Sequence, residues 1–297
     1  MTQLLALEVD RTIALNGTMF KNLFFGLLLA VSPFEFALPD TLDNSKLQGL
    51  GDTRYHELLS KSLERPLHIY VRYPESAQDK PDRTYPTLYL LDGGVTYPLL
   101  TAYYHYLRFT EEVPELMLVG ISYGSDTFEG GNYRSSDFTA PSDEREWWGG
   151  APGFQQVLAE ELLPLIERTY PSDPGRRIIL GQSLGGQFVL YSALTRPELF
   201  WGHIASNPAL HRNLDFFLEW HGAEPMPLDA TRLYVSEGEF NDAQFKIPAG
   251  QWAEYWGAPG RERPFFLKVQ AIPGHSHVSA ITESFRQGMG WLMSGQP

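Results

Sequence analysis

Between an apolar run, Arg176-Arg177-Ile178-Ile179-Leu180, and a helix-forming run, Leu184 to Leu194, stands the pentapeptide Gly181-Gln182-Ser183-Leu184-Gly185. A strand that turns into a helix over so few residues must pass through unfavourable backbone angles. Glycines two positions either side of the serine remove side chains that would collide with the neighbouring strand and helix. Such a turn lifts the Ser183 hydroxyl out of the sheet and leaves the Leu184 amide unpaired at a helix N-terminus, where it can stabilise an oxyanion.

The rest of the chain supplies the setting that this turn requires. Leu67–Tyr73, Tyr85–Leu91, Met117–Tyr123, Leu233–Ser236 and Phe265–Ile272 read as strands. They alternate with helical stretches at Phe154–Tyr170, with Phe154, Leu158, Leu162 and Leu165 on one face, at Leu184–Leu194 and at Val278–Leu292. Strand–helix alternation predicts an α/β architecture, a mostly parallel central sheet with helices on both faces. With the G-x-S-x-G turn, it predicts the α/β-hydrolase fold. The stretch 124–150 is polar and glycine-rich without periodicity, which marks a long loop that carries function or disorder.

A serine hydroxyl needs an imidazole to accept its proton. In this fold the partners follow in the order serine, acid, histidine. His275 and His277 lie between the last strand and the closing helix, where the chain returns over the serine turn. His203 and His105 lie in apolar elements and read as structural. A metal reading of the His-x-His pair lacks a third ligand. The acid should follow the strand at 233–236. Glu239, one residue past Gly238, is the first choice, with Asp242 and Glu237 as alternatives. The second oxyanion amide should come from Asp92-Gly93-Gly94, where two glycines permit close backbone approach; Gly94 is preferred over Gly93.

Composition excludes other classes. The 297-residue chain carries a formal net charge of -13 and no long Lys/Arg run, so it lacks the cationic footprint of a nucleic-acid binder. It has no cysteine, which rules out disulfides, thiolate nucleophiles and cysteine-based zinc sites. No cofactor is called for.

Near the N-terminus, Lys21 precedes a short apolar run, Leu23–Val31, within Met19–Ala37. That layout is a secretory leader, too short to span a bilayer. The expected division is a leader over residues 1–37 and a catalytic domain over 38–297, without stable membrane insertion of the mature chain. The expected compartment is periplasmic or extracellular, with the cytoplasm as the alternative.

Several segments together resemble the bacterial esterase family that includes enterobactin and salmochelin esterases and feruloyl-esterase modules. They are YLLDGG at 89–94, Arg134 with Asp137-Phe138-Thr139, ELLPLIERTY at 161–170, RRIILGQSLGGQFVLYSAL at 176–194 and GHSHVSAITESFRQGMGWL at 274–292. The family pattern G-x-x-H-x-S assigns the catalytic histidine to His277 and leaves His275 without a role. The family's carboxylate spacing points beyond Glu239, towards Asn241 or Asp242. After the sixth strand this chain reads Ser206-Asn207-Pro208-Ala209-Leu210-His211, where the family often has Ser-Pro-Ser with tryptophans.

The resemblance and the residues imply a carboxylic ester hydrolase acting on a small-molecule siderophore, aryl or acyl ester. Ser183 is the nucleophile, His277 the base, Glu239 or Asp242 the acid, and Leu184 and Gly94 the oxyanion donors. Arg134, Trp147 and Trp148 are expected to contact the substrate. Acyl transfer to an alcohol would use the same residues. A non-catalytic binding protein of this fold would ordinarily have lost the serine or the histidine.

Overall fold

The computed structural model describes residues 46–219, 221 and 231–294, all within a compact unit spanning Asp43–Pro297. The leader expected over residues 1–37 lies outside the described residues. Among the described residues, no helix is long and apolar enough to cross a membrane.

Eight strands form one sheet: β1 (Thr53–Ser60), β2 (Arg65–Arg72), β3 (Tyr85–Leu90), β4 (Met117–Ser122), β5 (Ser172–Gln182), β6 (Gly202–Ser206), β7 (Arg232–Gly238) and β8 (Phe266–Ile272), in the order β1-β2-β4-β3-β5-β6-β7-β8. The β1–β2 and β2–β4 pairs are antiparallel, and every pair from β4 to β8 is parallel. The sheet is thus mostly parallel, as expected. Its central strands read as continuous apolar runs because helices cover both faces; every residue of β4 and β6 is buried.

Helices α1 (Gly93–Phe109) and α8 (Ile281–Met293) cover one face, packing Tyr97, Leu100, Phe285 and Met289 on Leu88, Leu90, Ile178 and Leu180. The other face carries α3 (Ala151–Val157), α4 (Leu163–Thr169), α5 (Leu184–Thr195) and α7 (Ala243–Gly257) over Tyr89, Val119 and Ile179, and α2 (Arg134–Asp137) and α6 (Leu214–Phe217) are four-residue helices in the connections. Phe154 and Phe188 lie there edge to face, with centroids 5.1 Å apart.

The helix expected over Phe154–Tyr170 differs from that expectation. It starts at Ala151 and holds one wide π-turn, Leu158–Leu162, between α3 and α4. One extra residue per turn rotates the following face. Phe154, Leu158 and Leu162 are buried, but the buried positions then move to Leu163 and Ile166, leaving Leu165 half-buried.

The topology also locates the site. From β3 the chain steps to β4 on one side and then returns past β3 to β5 on the other. A crevice opens at such a reversal, outside the carboxyl ends of the strands. Here it falls between the ends of β3 and β5, where Leu90 pairs with Leu180 and the Leu91 amide donates to the Leu180 carbonyl at 3.0 Å. The Asp92 and Ser183 turns are therefore neighbours.

Candidate active site

Ser183 links β5 to α5 with φ 59° and ψ −114°, a conformation that costs a non-glycine residue about 1–3 kcal/mol. Packing holds it there. Its amide donates to Ser206 O at 2.9 Å, and its carbonyl accepts from the amides of Gln187 and Ala209 at 2.9 and 3.0 Å. A β-carbon on Gly181 would lie 2.2 Å from Gly185 O, so that glycine is obligatory. The second expected constraint sits one residue later than the motif suggests. A β-carbon on Gly185 would make ordinary contacts from 3.4 Å, whereas one on Gly186 would lie 2.9 Å from Ser206 O and 3.1 Å from Pro208 Cα.

The facing turn is equally constrained. Asp92 is left-handed, with φ 53° and ψ 41°, and α1 starts at the next residue. A β-carbon on Gly93 would lie 2.5 Å from Ile121 N, and one on Gly94 2.9 Å from Ser122 Oγ. Gly94 lies in the first turn of α1 and Leu184 opens α5, so neither amide has a carbonyl four residues back within its own helix. The positive ends of two helix dipoles thus border one cavity with Ser183. A cavity of about 380 Å³ joins Ser183 to Gly94, Asp92, Arg134, Leu99 and Val278.

Arg134 is placed at the cavity but is not a free cation. Its Nε and Nη2 donate to the two Asp92 carboxylate oxygens at 2.7 and 2.9 Å. The surrounding motif anchors the 124–150 stretch. Asp137 accepts Arg65 Nη2 on both oxygens, at 2.6 and 2.5 Å, and Tyr123 Oη at 2.8 Å. Phe138 enters the aromatic cluster, and Thr139 Oγ1 accepts from the Gly149 amide at 2.9 Å.

The loop after β8 brings His277 to the elbow through its backbone. Its carbonyl accepts from Asn207 Nδ2 at 3.2 Å and from Gln182 Nε2. The imidazole stacks on Phe245 with centroids 4.2 Å apart, and Nδ1 is buried without a hydrogen-bond partner. Burial lowers its pKa below the usual histidine range, and His211 pushes the same way against the opposing pull of Asp242. That favours the neutral form, which can accept a proton at pH 7. His275 instead ties its own loop, Nδ1 lying 2.9 Å from Ser279 O.

The three acid candidates separate. Glu239 accepts the Gly274 amide at 2.7 Å, so its carboxylate holds the turn before the histidine and is not joined to the imidazole. Glu237 is partly buried, with a pKa raised by burial; one oxygen faces Asn241 and the other has no partner. Asp242 stands at the N-cap position of α7, its side chain making no capping hydrogen bond, and is the carboxylate whose charge reaches His277.

In the sequence Asn207 stands out only as a departure from the family pattern. It is the buried hub of these loops, bonding the His277 carbonyl and accepting the Gly238 amide at 2.7 Å. Trp147 and Trp148 line a separate basin of about 540 Å³, together with Arg145, His211 and Arg212. His203 is fully buried, and burial pushes its pKa down to about 3.

This chain is similar to several known esterases. The chain is 35% identical over 185 residues to the ferri-bacillibactin esterase BesA of Bacillus subtilis, covering 56% of this chain and 62% of that one. It thus spans less than two thirds of that relative's length. It is 29% identical over 235 residues to the apo-salmochelin esterase of Escherichia coli, covering 73% of each. The crystal structure of the BES protein from Bacillus cereus superposes with TM-score 0.71 at 21% identity, covering 86% of this chain and 98% of that one. The enterobactin hydrolase IroE in complex with DFP superposes with TM-score 0.61 at 23% identity, covering 82% and 95%. These likenesses establish the α/β-hydrolase fold. With residues 60–288 matching the family model described as "Putative esterase", the chain belongs to that esterase family.

Proposed function

We propose that the chain is a serine esterase in which Ser183 attacks the carbonyl carbon of a carboxylic ester. His277 takes the hydroxyl proton as the new C–O bond forms, and the negative charge on the carbonyl oxygen faces the Leu184 and Gly94 amides. Collapse of this intermediate breaks the bond to the leaving alcohol, which receives the proton from His277. Water, activated by the same imidazole, then hydrolyses the acyl-enzyme. Asp242 is the preferred acid, steadying the imidazolium by its charge. The observation that carries the reading is the strained backbone of Ser183, which shares one cavity with Gly94 at the N-termini of two helices.

The named relatives are siderophore esterases, which supports a siderophore ester as substrate. The Lys21–Val31 pattern supports export of the chain, with a cytoplasmic enzyme as the alternative. A fluorophosphonate probe should label the protein, and Ser183→Ala should abolish labelling while leaving the unfolding midpoint unchanged. Labelling that survives the substitution overturns the assignment.

A further inference from the structure

His277 is anchored by its backbone but not by its ring nitrogen. Its carbonyl accepts from Asn207 Nδ2 at 3.2 Å and from Gln182 Nε2, which fixes the main chain beside the Ser183 turn. The imidazole keeps two side-chain torsions of its own. In a serine–histidine–acid triad a carboxylate on Nδ1 removes that freedom and steadies the imidazolium. Here Nδ1 is buried and, among the described residues, has no hydrogen-bond partner. Glu239 is taken up by the Gly274 amide and Glu237 by Asn241. Asp242 reaches the ring through its charge, without a hydrogen bond to Nδ1. A charge acting at a distance does not set the direction of a ring.

One face of the imidazole is nevertheless held. The Phe245 ring lies against it with centroids 4.2 Å apart and planes 29° from parallel. Phe245 is itself fixed. It sits in the first turn of α7, its amide donating to the Asp242 carbonyl at 3.0 Å, and the His211 ring stands perpendicular to it at 4.7 Å. Lys246 Nζ donates to the Glu239 carbonyl at 2.8 Å, and buried Pro248, Ala249 and Trp252 seat the helix on the domain. The stack therefore joins a side chain on a packed helix to one on a loop.

We infer that Phe245 is a positioning residue for the reaction: its ring face, in place of a carboxylate on Nδ1, holds the His277 imidazole in the orientation that receives the Ser183 proton. When His277 takes that proton it becomes an imidazolium, and the negative face of an aromatic ring attracts a cation within about 6 Å of its centroid. The contact is then stronger in the transition state than in the ground state, which is the condition for raising kcat. The inference rests on the esterase reading for the identity of nucleophile and base.

Steady-state kinetics of the full chain on p-nitrophenyl acetate test it. Phe245→Ala should lower kcat about tenfold with KM unchanged, the order of one well-placed aromatic contact. Phe245→Leu keeps an apolar side chain of similar bulk without a ring face. It should lose nearly as much kcat while keeping the wild-type urea midpoint. Phe245→Tyr and Phe245→Trp restore the face and should return kcat to within about twofold of wild type. In a His277→Ala background, adding Phe245→Ala should leave the residual rate unchanged, because the ring acts only through the imidazole. Wild-type kcat in Phe245→Leu, a change in KM alone, or a further tenfold loss in the His277→Ala background overturns the inference. Fluorophosphonate labelling that persists in Ser183→Ala would remove the esterase reading as well. Labelling lost in Ser183→Ala, with Phe245 variants as active as wild type, would remove this inference alone.

Discussion

Arg134 grips the Asp92 carboxylate with both arms of its guanidinium, at 2.7 and 2.9 Å, and Asp92 is the left-handed residue from which the Gly93–Gly94 turn departs. The pair ties the 124–150 stretch to the turn that carries the Gly94 amide. A bidentate pair fixes direction as well as distance, so the arginine acts on the geometry of this turn.

Removing that grip should therefore slow the hydrolysis of every ester. Arg134→Ala should lower kcat for neutral p-nitrophenyl acetate about 10- to 100-fold, less than outright loss of an oxyanion donor. Asp92→Asn should do the same to a smaller degree. Steady-state kinetics on a neutral and an anionic ester decide the matter. A loss confined to the anionic ester would return Arg134 to the role of substrate contact expected from sequence.

The two loop histidines should behave differently. His277→Ala should reduce kcat by about 10⁴-fold or more, approaching Ser183→Ala, because nucleophile and base act as a unit. His275→Ala removes a contact with the Ser279 carbonyl and should keep most activity. A reversed pattern in the two variants would show that the base is His275.

Among the carboxylates, Asp242→Asn should cost more activity than Glu239→Gln. Glu239→Gln weakens the bond to the Gly274 amide and should lower stability by about 1 kcal/mol. Kinetics and urea unfolding on both variants separate the effects. Wild-type rates in Asp242→Asn would leave Ser183 and His277 working as a pair.

Acid should destabilise the fold through His203. Its folded pKa of about 3 lies below the unfolded value of 6.5. Below pH 6.5 the unfolded chain takes up a proton that the native state refuses, so stability falls as pH drops towards 3, with a slope approaching about 1.4 kcal/mol per pH unit. Urea midpoints between pH 7 and 4 should fall less steeply in His203→Asn. Parallel slopes would assign the acid sensitivity elsewhere. For activity, the lowered His277 pKa should put the acidic limb of kcat/KM below pH 6.5.

The glycines of the elbow give a backbone test. Gly186→Ala should impair folding or activity far more than Gly185→Ala, since only the former drives a β-carbon to 2.9 Å from Ser206 O. Soluble yield and fluorophosphonate labelling of the two variants report this directly. Equal tolerance would mean that the β6 end moves aside.

The strained turn at Ser183 was legible from sequence because its constraints are local. A strand, a glycine, a serine and a helix lie within about twenty consecutive residues, and covalent geometry allows them few conformations. The place of His277 on the loop beside that turn was legible because it follows the last strand. The π-turn at Leu158–Leu162 escaped, since the apolar spacing to Leu165 fits an uninterrupted helix and only packing on the sheet moves burial to Leu163 and Ile166. Other relations depended on tertiary structure altogether. Arg134 and Asp92 lie 42 residues apart and meet because the chain reverses its path across the sheet at β3. Glu239 and Asp242 are three residues apart on one loop, and the fold directs the first to the Gly274 amide and brings the charge of the second to His277. Sequence determined which chemical groups this protein carries and the backbone turn that exposes one of them. Which charges face one another was decided by the path of loops whose ends are fixed by different strands, and no local pattern encodes that distance.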